Sequence, residues 1–220
     1  LLGAMALFIS LSGCSQENQK KQQYITVENA NGPSLGYSPN SGVQILTIDG
    51  LKFKDLNKNG TLDAYEDWRL PVDERAKDLA AKMSLEQIAG LMLYSRHQTL
   101  PAKPLGWGFA DGTYDGAEYG EGDAKAWYLT DQQKTFLRDD NVRHILIGAV
   151  DTPGTAARWN NELQAFVEGI DLGIPGNTSS DPRHAGNGSA EFNAGTGGAI
   201  SLWPDGLGLA ATFDPQIVRS

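Results

Sequence analysis

Two stretches of this 220-residue chain carry residues whose types and spacing could do chemistry. The first is Asp55-Leu-Asn57-Lys-Asn59-Gly60-Thr61-Leu-Asp63-Ala-Tyr-Glu66, which meets every specified position of the D-x-[DN]-x-[DN]-G-x5-E pattern. Side-chain oxygens of Asp55, Asn57, Asn59 and Asp63, the Thr61 carbonyl and both oxygens of Glu66 could surround one hard cation, with Gly60 allowing the sharp turn. The same residues suit an Asx-rich turn that needs no metal, because Asn and Asp satisfy nearby backbone N–H groups themselves. A helix would enter a full EF-hand, whereas Val43, Ile45, Ile48, Leu51 and Phe53 are spaced as an extended segment. A single structural Ca2+ loop is the expectation, not a paired sensor.

The second stretch is Ser179-Ser180-Asp181-Pro182-Arg183-His184, behind the apolar lead-in Gly173-Ile174-Pro175. A strand ending in a hydrogen-bonding tip is how α/β enzymes present residues to a ligand at the carboxyl edge of a sheet. Asp181-Pro182 can equally be only a turn, since both residues are favoured there for backbone reasons. His97, His144 and His184 lie far apart and carry no metal-ligand spacing.

Composition removes some function classes. There are 18 basic against 27 acidic residues, a formal charge of -9, with no basic run, so nucleic acid is an unsuitable partner. The single cysteine, Cys14, cannot form an intrachain disulfide. It follows an apolar run, Leu1 to Leu11, too short to span a bilayer and readable as part of a signal peptide. Leu11-Ser12-Gly13-Cys14 resembles a bacterial lipobox, with Cys14 as the lipidated residue. That reading predicts a lipid-anchored protein of the bacterial cell envelope, periplasmic or in the outer membrane, touching membrane through the anchor only. An ordinary secretory signal with an incidental cysteine is the alternative.

The elements that must position these residues follow from periodicity. Ser15 to about residue 40 is polar and aperiodic, as a tether would be. Apolar residues recur at helical spacing from Pro71 to Met92, interrupted by Ser84-Leu85-Glu86-Gln87, a capping box. Two helices are predicted, at about 71–82 and 85–92. From Tyr94 to Thr130 the pattern dissolves into Gly, Pro, Asp and aromatics. Trp107, Phe109, Tyr114, Tyr119, Trp127 and Tyr128 either stack on sugar rings or anchor an insertion onto the body. Asp131 to Asp140 reads as a helix, Arg143 to Val150 as a buried strand, Thr155 to Gly169 as an amphipathic helix and the Ile174 segment as a strand. Strand, helix and strand in this order require a parallel sheet. Asp214 is placed to cap a last helix.

Ile174-Pro175, Ser180 to His184 and Leu207-Gly-Leu-Ala-Ala-Thr-Phe-Asp-Pro215 resemble, in that order, the amino-terminal barrel domain of glycoside hydrolase family 3, which includes the β-glucosidases. Met83 to Leu91 is similar to the family's L-x-x-M-T-L-E-E-K-x-G-Q-L pattern, with Gln87 and Ile88 where that pattern has Glu and Lys. Asn/Asp-rich loops ahead of a Tyr-Glu-Asp-Trp segment, here Tyr65 to Trp68, also occur in relatives. The resemblance implies the first part of a (β/α)8 barrel and a retaining, exo-acting β-glycosidase acting on oligosaccharides or β-glucosides. It implies that Asp181 hydrogen-bonds hydroxyls of the non-reducing sugar, with Arg183 and His184 as neighbours in that subsite. The family's nucleophile, an Asp on a late strand, and its acid/base both fall beyond Ser220, so no catalytic residue is assigned here. A barrel takes about 250 residues, and the expectation is an incomplete one. The expected organisation is a lipoprotein signal at 1–14, a tether at 15–40, an extended segment with the calcium-type loop at 41–70, and the start of the barrel at 71–220. A non-catalytic, calcium-stabilised sugar-binding lipoprotein is the alternative function.

Overall fold

A computed structural model describes residues 24–104, 112–179 and 206–219. Two antiparallel hairpins come first: β1 (Ile25–Val27) with β2 (Leu35–Tyr37), and β3 (Gln44–Ile48) with β4 (Leu51–Asp55). The second forms because apolar residues flank Asp49-Gly50. Both turn residues are left-handed, at φ 51 and 79, and Ile48 pairs with Leu51 across them, the two-residue turn whose twist matches that of the strands. The first hairpin corrects the reading of 15–40 as a tether, since this segment is folded from residue 24 onward. Its anchor is a side chain, not an apolar stripe. Asn29 donates to the carbonyls of Pro33 (3.0 Å) and Lys52 (3.2 Å) and accepts from the Lys52 N–H (2.8 Å). One buried Asn thereby joins the first hairpin to β4.

Next come α1 (Val72–Lys82) and α2 (Leu85–Leu91). The predicted box at α2 is present: the Gln87 N–H donates to Ser84 Oγ (3.2 Å) and the Ser84 N–H to Gln87 Oε1 (2.9 Å). Gly90 lets the helix backbone press against the turn before the second strand of the sheet, where a Cβ would lie 2.4 Å from the Asp140 carbonyl.

The principal sheet is parallel, ordered β5 (Tyr94–Leu100), β6 (His144–Val150), β7 (Asn177–Ser179), with α3 (Asp131–Arg138) and α4 (Pro153–Glu168) in the connections. The strand-helix-strand prediction holds for β6 and α4. Two details differ. β5 lies where periodicity dissolved, because Tyr-Ser-Arg-His-Gln-Thr-Leu has no apolar run and becomes a strand only by pairing with β6. The last strand starts at Asn177 instead of Ile174, whose carbonyl is taken by Arg143 Nε (3.0 Å). Among the described residues the sheet has three strands and does not close, so what is seen is a mixed α/β unit.

Leu100, Leu129, Leu137, Ile145, Val150, Trp159, Leu163 and Val167 form its core, between the sheet and α3 and α4. Glu168, at the end of α4, ties the hairpins to this core by accepting from the Ser38 N–H (3.2 Å) and from Lys54. Two short helices, α5 (Gly206–Ala210) and α6 (Pro215–Arg219), follow. Asp214 caps α6 as expected, accepting from the Gln216 N–H at 2.8 Å. α5 was not anticipated.

Candidate functional site

In a parallel sheet all carboxyl ends point to one edge, which is where α/β proteins bind ligands. At this edge β5 runs into Leu100-Pro101-Ala102-Lys103 and β6 into Asp151. The Asp151 N–H donates to the Leu100 carbonyl (2.9 Å), continuing the ladder past the strand ends. Its Oδ2 lies 3.9 Å from Lys103 Nζ. The Lys103 ammonium in turn sits 5.7 Å from the Tyr119 ring centre. Tyr114 is buried beside them, its hydroxyl accepting from the Ala102 N–H at 3.0 Å. Burial chiefly pushes the Tyr114 phenol up, with the charge of Asp151 adding to it.

The loop leading to α3 is held by Asp131, which accepts from the N–H groups of Asp115 (3.1 Å) and Gly116 (2.9 Å) and from the Thr113 hydroxyl (2.8 Å). Burial opposes ionisation of Asp131, but these donors and Lys134 outweigh it and hold the carboxyl below its ordinary value. Tyr114 is buried and Trp127 packs on the core beneath Arg158, 4.5 Å away. These two aromatics therefore anchor the 112–130 loop to the body. Trp107 and Phe109 lie outside the described residues.

Asp181, Arg183 and His184 also lie outside the described residues, as does Cys14. The strand that precedes them, β7, is described to Ser179, which pairs with Leu146 and has its Oγ 2.7 Å from the Tyr94 hydroxyl. His144, at the opposite end of β6, stacks on Tyr94 (5.6 Å) and meets the Asn177 amide (3.0 Å), a packing role at the amino edge.

The Asp/Asn-rich loop is a network of Asx turns. Asp55, 1 % exposed, accepts from the N–H groups of Asn59 (3.0 Å) and Gly60 (2.8 Å). Asn57 accepts from Asn59 N–H (3.2 Å) and Asn59 from Thr61 N–H (2.7 Å). Glu66 takes the Leu56 N–H on one oxygen (2.7 Å) and the Asp63 N–H on the other (3.0 Å). Asp63 accepts from the amides of Asn57 (2.6 Å) and Asn59 (2.8 Å), and its other oxygen lies 2.8 Å from Lys82 Nζ at the end of α1. The Lys82 ammonium is the main reason the Asp63 carboxyl titrates below its ordinary value. Gly60, at φ 80, makes the turn, and strand β4 enters the loop as the spacing predicts.

An all-oxygen donor set has the hard character calcium requires. Among the described residues no three His, Cys, Asp or Glu side chains gather as a metal site. A cation here would need the Asn and carbonyl oxygens as well, and would compete with Lys82 for Asp63.

No protein-family model matches the chain. Over 179 residues, 81% of its length, it is 36% identical to a protein named periplasmic beta-glucosidase/beta-xylosidase from Dickeya chrysanthemi, covering 24% of that protein. It is 32% identical over 169 residues to beta-glucosidase C of Emericella nidulans, 75% of this chain and 23% of that one. It is 31% identical over 166 residues to a probable beta-glucosidase C of Aspergillus oryzae, 74% of this chain and 23% of that one. Over most of its length the chain is therefore similar to proteins named beta-glucosidase. It spans about a quarter of the length of these curated relatives. The parallel β5-β6-β7 sheet and its two connecting helices form part of an α/β domain, the fold class expected from the sequence. Asp151 and Lys103 were missed by the sequence reading. The only local signal for Asp151 was its place immediately after a buried strand, and nothing local marked Lys103.

Proposed function

We propose that this chain is part of a retaining, exo-acting β-glycosidase of the β-glucosidase type, hydrolysing terminal β-glycosidic bonds of oligosaccharides or simple β-glucosides. The observation that carries this reading is the kinship with beta-glucosidases over 81% of the chain for the Dickeya chrysanthemi protein. The parallel sheet supports it by supplying a carboxyl edge of the kind that binds ligands.

In this reading Asp181, with Arg183 and His184 near it, binds the non-reducing sugar. A carboxylate accepting hydrogen bonds from the hydroxyls fixes the ring relative to two further carboxyls, the nucleophile and the acid/base. Retaining enzymes hold those two about 5–5.5 Å apart, and neither is assigned to this chain. Lipidation at Cys14 would hold the enzyme in the cell envelope, which agrees with a relative named periplasmic. No helix among the described residues is long and apolar enough to cross a membrane. Calcium would be held by Asp55, Asn57, Asn59, Asp63, Glu66 and the Thr61 carbonyl, cross-linking β4 to the chain before α1 with no part in the reaction.

The test is Asp181→Ala in the full-length polypeptide. Loss of a charge-assisted hydrogen bond to the sugar is worth about 1.5–3 kcal/mol, so kcat/KM on an aryl β-glucoside should fall by roughly 10- to 150-fold. Near-normal kcat/KM would show that Asp181 is not in the subsite. A wild-type protein inert toward aryl β-glucosides and aryl β-xylosides would refute the glycosidase reading itself.

A further inference from the structure

We propose that Asp151, with Lys103 beside it, binds a sugar hydroxyl at the carboxyl edge of the sheet. The inference takes its ligand class from the glycosidase reading above. Asp151 is the first residue after β6, the central strand, and its backbone is pinned by the 2.9 Å hydrogen bond to Leu100. Its Oδ1 is buried yet accepts no hydrogen bond from any described residue, and Oδ2 lies 3.9 Å from the Lys103 ammonium. Almost every buried acceptor in a folded protein has a donor, so one without a donor among the described residues calls for a partner from outside them. Thr99 Oγ1, near the end of β5, is likewise buried with no partner among the described residues.

Sugars supply what these atoms lack. A hydroxyl donates one proton and accepts through its lone pairs, whereas an ionised carboxylate only accepts and an ammonium only donates. Asp151 and Lys103 can therefore engage a single hydroxyl from both sides. A purely structural role is the competing account. Asp151 directly precedes Thr152, the N-cap of α4, where negative charge favours the helix. That role makes no use of the buried Oδ1 and discriminates among no sugars.

The experiment uses the full-length polypeptide and glucose as the probe. Calorimetric binding of glucose and of each monodeoxyglucose is measured for wild type, Asp151→Ala, Asp151→Asn and Lys103→Met, with melting curves for all. Hydrolysis of an aryl β-glucoside by wild type is assayed separately. Asp151→Ala should weaken glucose binding about 10-fold or more, Asp151→Asn should recover part of it, and the loss should vanish for the one deoxyglucose lacking the contacted hydroxyl. Should Asp151→Ala fail to fold, Asp151→Asn and Lys103→Met decide by the same comparison. Binding within about twofold of wild type, equal losses for every deoxyglucose, or a wild type that binds no glucose would overturn the proposal. A wild type that binds glucose through Asp151 but hydrolyses nothing would overturn the glycosidase reading and leave this one standing.

Discussion

Gln133 lies 2% exposed inside an otherwise apolar core. Its Oε1 accepts from the Thr130 N–H (3.0 Å) and from Trp159 Nε1 (3.1 Å), and its Nε2 donates to Gln98 Oε1 (3.2 Å). One side chain thus closes the capping box of α3, holds the indole of α4 and reaches β5. Gln133→Leu fills the space but leaves two buried donors without an acceptor. Each such loss costs about 1–3 kcal/mol, and the variant should be about 2–4 kcal/mol less stable in urea titration. A change below about 1 kcal/mol would mean the network is not a stabilising tie. The capping half of this role is readable from Thr130-x-x-Gln133 spacing. The partner 26 residues away is not, because nothing local marks Trp159 as its mate. Asp151 is a similar case, since its buried oxygen becomes evident only when β5 and β6 are seen side by side.

At the scale of elements, the Asp/Asn-rich loop and α1 share one cationic position. Lys82 reaches back from the last turn of α1 to Asp63, 2.8 Å away. If calcium binds the loop, it gains from the same carboxylate that Lys82 now neutralises. Calcium should therefore raise the melting temperature of the protein and a chelator lower it, by linkage. Lys82→Met should enlarge that difference, because the metal no longer competes with an ammonium. Superimposed melting curves with calcium and with chelator, in both proteins, would reduce the loop to its Asx turns. The motif itself was legible as spacing. Lys82 was not, since it lies 19 positions away from Asp63 and is brought there only by the direction α1 takes.

For the whole molecule, Glu168 is the joint between the amino-terminal hairpins and the α/β core. Its carboxylate is buried and accepts from the Ser38 N–H and from Lys54. Glu168→Ala leaves a buried backbone donor unpaired and should cost about 2–3 kcal/mol. Amide exchange should show where the loss falls: residues 35–41 should exchange faster, while β6 keeps its protection. Equal acceleration in both would mean that hairpins and core unfold as one unit. Sequence alone determined the helices α1 to α4, the central strand β6, the parallel order that strand-helix-strand demands and the kinship with β-glucosidases. Apolar periodicity, caps and motif spacing are local signals, and these elements carry them. Tertiary structure alone decided that 24–40 is folded, that Tyr94–Leu100 is a strand and that Asp151 stands with Lys103 at the carboxyl edge. Those outcomes depend on side-chain hydrogen bonds and strand pairing between residues distant in the chain, which leave no periodic trace in a single sequence.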